Sequence, residues 1–189
     1  MKPVPVYFSL GSNRGDRQAQ IGEALRRLDK AVGRPYEACS SVIETRAWGF
    51  DGPDFLNCVV RYRTARQPQT LLRICKRIER AMGRREAPEY DAEGRRIYRD
   101  RPIDIDILLY GDLTVDTPEL KIPHPLMRQR EFIMRPLAEP LFLHLPEDIP
   151  YKKIHLVGPS FQNFVPIDLK YLPAESMLRE FTGGGIYEY

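Results

Sequence analysis

The chain has 189 residues, of which 42% are hydrophobic and 29% charged, with a net charge of +3. These values fit one globular domain, or one domain with a substantial extension, large enough to bury a real core. No apolar run approaches the roughly 20 residues of a membrane span, and the apolar N-terminal stretch is too short and too early for a signal peptide. A cytoplasmic protein with no membrane partner is therefore expected.

Val4, Val6, Phe8 and Leu10 alternate with Pro5, Tyr7 and Ser9, which predicts a first strand ended by the turn Gly11-Ser-Asn13. Asp16 opens a helix whose apolar face is Ile21, Leu25, Leu28 and Val32, and Gly33 stops it. A second strand is expected over about 36–45. A turn-rich loop from Arg46 to Pro53 then carries the only tryptophan, Trp48. A third strand covers about 55–64. A helix following Pro68 places Leu71, Cys75, Ile78 and Met82 on one face, with Gly83 at its end. Residues 84–100 read as a long charged loop without usable periodicity. Ten Lys/Arg and six acids crowd between Arg73 and Arg101, a pattern open to two readings, a solvated helix face or an anion site. A fourth strand runs through 103–110, and a short helix over roughly 125–135 comes after it.

The order strand–helix–strand–strand–helix–strand is that of an α+β, ferredoxin-like split βαβ fold: an antiparallel sheet backed by two helices on one face. Beyond Pro140 the pattern weakens into a C-terminal extension, about 141–189, with net charge −2 against +5 for the rest. An edge strand at 164–169 and a short helix at 174–181 are the features expected there, and the whole chain reads as a single domain. Cys39, Cys58 and Cys75 are odd in number, widely spaced and set in apolar stretches, so buried free thiols are expected.

The most telling segment is Arg101-Pro-Ile-Asp104-Ile-Asp106-Ile-Leu-Leu-Tyr110. Its alternation predicts a strand with Ile103, Ile105, Ile107 and Leu109 on one face and Asp104 and Asp106 on the other. Residues two apart on a strand lie roughly 6.5–7 Å apart on the same side. Two carboxylates so placed can grip hard cations, and paired acids on a buried strand need such a partner. The same pair on a solvated outer face would be only a polar surface.

Five elements stand in register: Phe8-Ser-Leu-Gly11-Ser-Asn13-Arg-Gly-Asp16, Phe55-Leu-Asn57, Gly83-Arg84, Arg101 through Asp104 and Asp106, and Ile122-Pro-His124-Pro125 with Arg130 and Phe132 after it. In this order and spacing the chain resembles the 6-hydroxymethyl-7,8-dihydropterin pyrophosphokinase family over about residues 5–140. The resemblance implies a ferredoxin-like fold and transfer of pyrophosphate from MgATP to the pterin hydroxymethyl group, with release of AMP, in folate biosynthesis. It implies two Mg²⁺ ions held by Asp104 and Asp106, and catalytic roles for Arg84, Arg101, Asp104 and Asp106. ATP would be bound by Leu72, Lys76, Glu79, Arg84, Tyr98, Arg101, Ile107, Lys121, His124 and Arg130, with Lys76 and Glu79 on the exposed face of the second helix. The pterin would meet Asn13, Thr45, Arg46, Trp48, Phe55, Asn57, Asp104 and Phe132. Phe55 and Phe132 match a stacking pair, and Asn57 matches an amide that reads the ring edge. Small-molecule substrates, no nucleic acid and a monomer or weak dimer are the expected partners and state.

The chain departs from the family pattern in a longer 84–100 loop, in Glu86, in Tyr98 where a tryptophan is common, and in an insertion around 145–170. A nucleic-acid-binding module would need an aromatic-rich strand signature that is missing here. A non-catalytic scaffold would retain binding without turnover.

Overall fold

The first strand, β1 (Val4–Ser12), is nine residues of alternating burial demand, and the fold is built around it. Helix α1 (Arg17–Val32) starts where the Asp16 carboxylate accepts the Ala19 N–H at 3.0 Å. It ends at Gly33, whose φ of 89° closes the last turn by donating its N–H to the Asp29 carbonyl at 2.8 Å. The chain returns through β2 (Ala38–Cys39) and β3 (Ile43–Thr45), and both pair antiparallel with β4 (Phe55–Thr64). The single second strand expected over 36–45 is thus two short pieces. The break has a cause: the Ser40 hydroxyl accepts the Val59 N–H at 2.9 Å and displaces regular pairing.

Helix α2 (Pro68–Ala81) begins on a proline, which loses nothing at a position with no intrahelical acceptor. Within 84–100, β5 (Glu89–Tyr90) and β6 (Arg96–Ile97) pair as a small antiparallel hairpin, so the segment expected to be a loop carries regular structure. The aspartate strand is β7 (Asp104–Tyr110). A second hairpin, not anticipated from the sequence, joins β8 (Val115–Asp116) to β9 (Lys121–Ile122). The helix expected over 125–135 is a 3₁₀ turn, Met127–Gln129, and then α3 (Glu131–Leu137). They are separated at Arg130, whose backbone is extended.

In this computed structural model residues 2–84, 89–90, 92, 96–97 and 99–139 are described. The expected elements at 164–169 and 174–181, the insertion at 145–170 and the extension from about 141 lie outside them.

The main sheet has the order β2-β4-β1-β7, with β3 also on β4, and β1 is antiparallel to both neighbours. One face is apolar. Val6, Phe8 and Leu10 of β1, Cys58, Val60 and Tyr62 of β4, Ile105 and Ile107 of β7, and Ile103 just before it, meet Ile21, Ala24 and Leu28 of α1 and Leu71, Ile74 and Ile78 of α2. Burying each such side chain contributes roughly 1.5–3 kcal/mol. Helix α3 packs against β3 and β4, and its Phe132 lies in the cleft on the opposite face. The expectation of helices on one face alone is therefore incomplete.

The alternation on β7 also fails at one point. Phe8 pairs with Ile107 but Tyr7 pairs with Leu109, so Leu108 is an extra residue, a β-bulge. One added residue reverses the facing of every later residue on the strand. Tyr110 joins the core under the helices, whereas Leu109, expected there, does not. Both remain buried. Among the cysteines, Cys58 and Cys75 are buried, Cys39 is half-buried, and all three are free thiols.

Candidate active site

The face that α1 and α2 leave uncovered is made by the other residues of the same strands. Gly11 of β1 lies opposite Asn57 of β4 on one side and opposite Asp104 of β7 on the other. One step along, Ser9 lies between Val59 and Asp106. Directly opposed residues project to the same side of a sheet. Two transverse rows therefore form a floor, Asn57–Gly11–Asp104 and Val59–Ser9–Asp106. Ser9, Gly11, Phe55, Asn57, Asp104, Asp106 and Phe132 line a cleft there.

Gly11 is part of the strand rather than the turn expected at that point. A Cβ built on it would sit 2.8 Å from the Asn57 Oδ1, and a close approach of that kind is possible only without a side chain. Asn57 is buried and donates its amide N–H to the Thr45 hydroxyl at 2.9 Å, across the β3–β4 pair. Phe55 is packed edge-on against Phe50, with ring centroids 6.3 Å apart, and the Arg101 guanidinium stands 5.5 Å from its centroid. Ser9, a floor residue, lies inside the Phe8–Asp16 motif but is not among the expected site residues. Its signal is that β1 carries small residues at alternate positions, Ser9 and Gly11, on one face only.

Asp104 is bracketed by two arginines. Its Oδ1 accepts from Arg84 Nη1, and its Oδ2 accepts from Arg101 Nη1 at 2.9 Å. Burial would raise its carboxyl, but Arg101 and Arg84 outweigh burial and hold it down at about 2. Asp106 is pushed the other way, upward, by burial and then by the neighbouring Asp104 charge, against the pull of His124 and Arg130. Arg130 Nη1 lies 3.3 Å from Asp106 Oδ2, and His124 Nε2 lies 3.9 Å from it. Burial lowers the His124 imidazole below its usual range. His124 is fixed from both sides: its backbone N–H donates to the Leu108 carbonyl at 2.9 Å, and its Nδ1 accepts the Leu126 N–H at 3.3 Å.

Glu79, expected on an exposed helix face, is instead 2% exposed. The reason is that β7 is an edge strand with outward N–H groups to satisfy. Glu79 Oε1 accepts the Ile105 N–H at 2.8 Å and a bond from Arg84, while Oε2 accepts from Lys76 Nζ at 3.2 Å. Burial raises its carboxyl, with Arg84 opposing. Lys76, 43% exposed, does lie on the open face.

Asn13 commits its whole amide. Its Oδ1 accepts the Arg101 backbone N–H at 2.8 Å, and its Nδ2 donates to Asp100 Oδ1 at 2.8 Å and to the Pro53 carbonyl at 3.2 Å. It thus ties the end of β1 to the 46–54 loop and to the segment before β7. Asp100 and Pro53 carry no pattern that would reveal this, being separated from Asn13 by 87 and 40 residues.

The remaining sequence-predicted residues are dispersed. Ile107 and Leu72 pack with the core under the helices, Arg46 is exposed, and Lys121 pairs with Asp116 on the β8–β9 hairpin. Trp48 is exposed, against Arg130. Tyr98 lies outside the described residues.

Comparison with known proteins agrees on one family. Residues 7–141 match the family described as 7,8-dihydro-6-hydroxymethylpterin-pyrophosphokinase. Curated relatives named 2-amino-4-hydroxy-6-hydroxymethyldihydropteridine pyrophosphokinase are similar over a comparable span. The Porphyromonas gingivalis protein is 46% identical over 71% of this chain and 88% of its own length. The Aquifex aeolicus protein is 42% identical over 71% and 78%, and the Bacillus subtilis protein is 34% identical over 71% and 76%.

Proposed function

This chain belongs to the 7,8-dihydro-6-hydroxymethylpterin-pyrophosphokinase family, and from that premise we propose how its residues divide the work. The enzyme transfers a pyrophosphoryl group from ATP to the pterin hydroxymethyl group in folate biosynthesis. The pterin hydroxyl oxygen bonds to the β-phosphorus, the bond from that phosphorus to the α-phosphate oxygen breaks, AMP leaves, and the hydroxyl proton is lost to solvent. Little covalent chemistry falls to the protein; positioning and charge neutralisation carry the rate.

The observation that best supports the assignment of roles is the row Asn57–Gly11–Asp104. It puts an amide suited to a ring edge and a carboxylate suited to the phosphate end on one floor, two strands apart. In this reading Phe55 and Phe132 stack on the pterin, Asn57, braced by Thr45, reads its edge, and the 45–48 segment with Arg46 closes that end. Asn13 supports the same end by holding the backbone of Arg101. Arg84, Arg101 and Arg130 face the phosphates, and His124 meets the α-phosphate. Lys76, Leu72, Ile107, Lys121 and Tyr98 line the nucleotide, Ile107 through its backbone because its side chain is in the core. Glu79 holds Arg84.

Asp104 and Asp106 fit Mg²⁺. They are carboxylate oxygen donors on one face of the strand, both lining the cleft. That suits an ion which takes its other ligands from phosphate and water. Bound there, two Mg²⁺ ions would supply neutralisation of the triphosphate charge. The protein would act in the cytoplasm as a monomer or weak dimer; no helix among the described residues is long and apolar enough to cross a membrane.

AMP formation from ATP and 6-hydroxymethyl-7,8-dihydropterin tests the reading. AMP should require the pterin, stop with EDTA and return with Mg²⁺. Turnover unaffected by EDTA would remove the metal role of the aspartates.

A further inference from the structure

The Trp48 indole is placed against an arginine of the cleft rather than left free in solvent. The Arg130 guanidinium carbon stands 5.1 Å from the Trp48 ring centroid and 5.6 Å from that of Phe132, while Nη1 reaches Asp106 Oδ2 at 3.3 Å. Both ring distances lie within the range of a cation–π contact. The Arg130 side chain is 13% exposed, and its Nε is buried without a hydrogen-bond partner among the described residues. A single hydrogen bond among the described residues, to Asp106, leaves the plane of a five-donor guanidinium underdetermined. Two aromatic rings flank the same guanidinium at cation–π distance. Phe132 is two residues away in α3, whereas Trp48 comes from a loop 82 residues distant, so the indole ties Arg130 to the 46–54 loop.

We propose that Trp48 is a positioning residue: its indole holds the Arg130 guanidinium in the orientation in which it receives the nucleotide phosphates. The proposal rests on the placement of Arg130 at the phosphates. Loss of the indole frees a long side chain whose rotamer must then be ordered when the nucleotide binds, and that cost appears as weaker nucleotide binding before any pterin is present. A cation–π contact at a half-open site corresponds to about a two- to fivefold change in binding.

The test is calorimetric binding of α,β-methylene-ATP with Mg²⁺, without pterin, to the full chain, to Trp48→Ala, to Trp48→Phe, to Arg130→Met and to the Trp48→Ala/Arg130→Met double variant. Leaving the pterin out removes any direct contact between Trp48 and that substrate. The expected result is a two- to fivefold loss in Trp48→Ala, most of it restored in Trp48→Phe, and no further loss when Trp48→Ala is added to Arg130→Met. Such non-additivity is the signature of two side chains acting as a unit. Full-strength binding by Trp48→Ala, or an undiminished Trp48 penalty in the Arg130→Met background, overturns the proposal while leaving Arg130 at the phosphates. An Arg130→Met variant that binds as tightly as the parent overturns that placement, and the proposal with it.

Discussion

The two faces of the central sheet are made by the same three strands and differ only in which alternate residue each presents. Toward α1 and α2 the strands offer Phe8, Leu10, Val60, Tyr62, Ile103 and Ile105. Toward the cleft they offer Ser9, Gly11, Asn57, Asp104 and Asp106. The first set removes apolar area from water and stabilises the fold. The second keeps the floor low and gathers charge, which costs stability unless each group is paired. It is paired, by Arg84, Arg101 and Arg130. If the cleft is the active site as proposed, stability and function are segregated by the parity of a strand, and substitutions on the two faces should fail in different ways.

The largest effect should come from the polar face. Asp106→Asn is expected to lower AMP formation by about 10²–10³-fold, the scale on which groups that stabilise developing charge act. Its unfolding free energy should fall by no more than about 1–3 kcal/mol in urea titration, the cost of leaving Arg130 without its charged partner. Leu71→Ala, on the other face, should cost about 3 kcal/mol of stability through the cavity it leaves, with the parent's turnover per folded molecule. A smaller effect that crosses the boundary is expected from Gly11→Ala. Its methyl would press on the Asn57 carboxamide, so pterin KM should rise about tenfold while ATP KM holds, at roughly 1–3 kcal/mol of overpacking. The smallest is Tyr62→Phe. The Tyr62 hydroxyl donates to Asp29 Oδ1 at 2.7 Å, and its loss should cost about 1 kcal/mol with no kinetic change.

This division also decides what the sequence makes legible. The apolar face announces itself: strand β4 appears at 55–64 and α1 runs from its Asp16 cap to Gly33, as periodicity and capping require. The Asp104–Asp106 pair is legible for the same reason, since a polar interruption in an apolar alternation is visible on one strand. What periodicity cannot carry is anything set by a distant partner. The Leu108 bulge reverses the facing of Leu109 because of its register against β1, a relation between strands about 100 residues apart. Glu79 looks like one more charge on a helix, and only the edge position of β7 explains its burial. The Ser40 hydroxyl that splits the second strand, and the Asn13 amide that reaches Arg101, are likewise ordinary polar residues until their partners are known. The candidate site was legible through five motifs in register rather than through any one residue. That register aligned residues now seen on a common floor, such as Asn57 and Asp104, with others, such as Ile107 and Leu72, whose side chains are in the core.

The most direct measurement is AMP formation and thermal unfolding made side by side on the parent and on Asp104→Asn. Asp104 is the sharpest choice because it is both a floor residue and the partner of two arginines, so a purely structural role is a real competitor. A catalytic floor requires a fall in AMP formation of about 100-fold or more in a protein that still unfolds cooperatively, its melting temperature lower by no more than about 10 °C for the lost arginine pairs. AMP formation at the parent's rate, or a loss of activity that merely tracks a collapse in melting temperature, would contradict it.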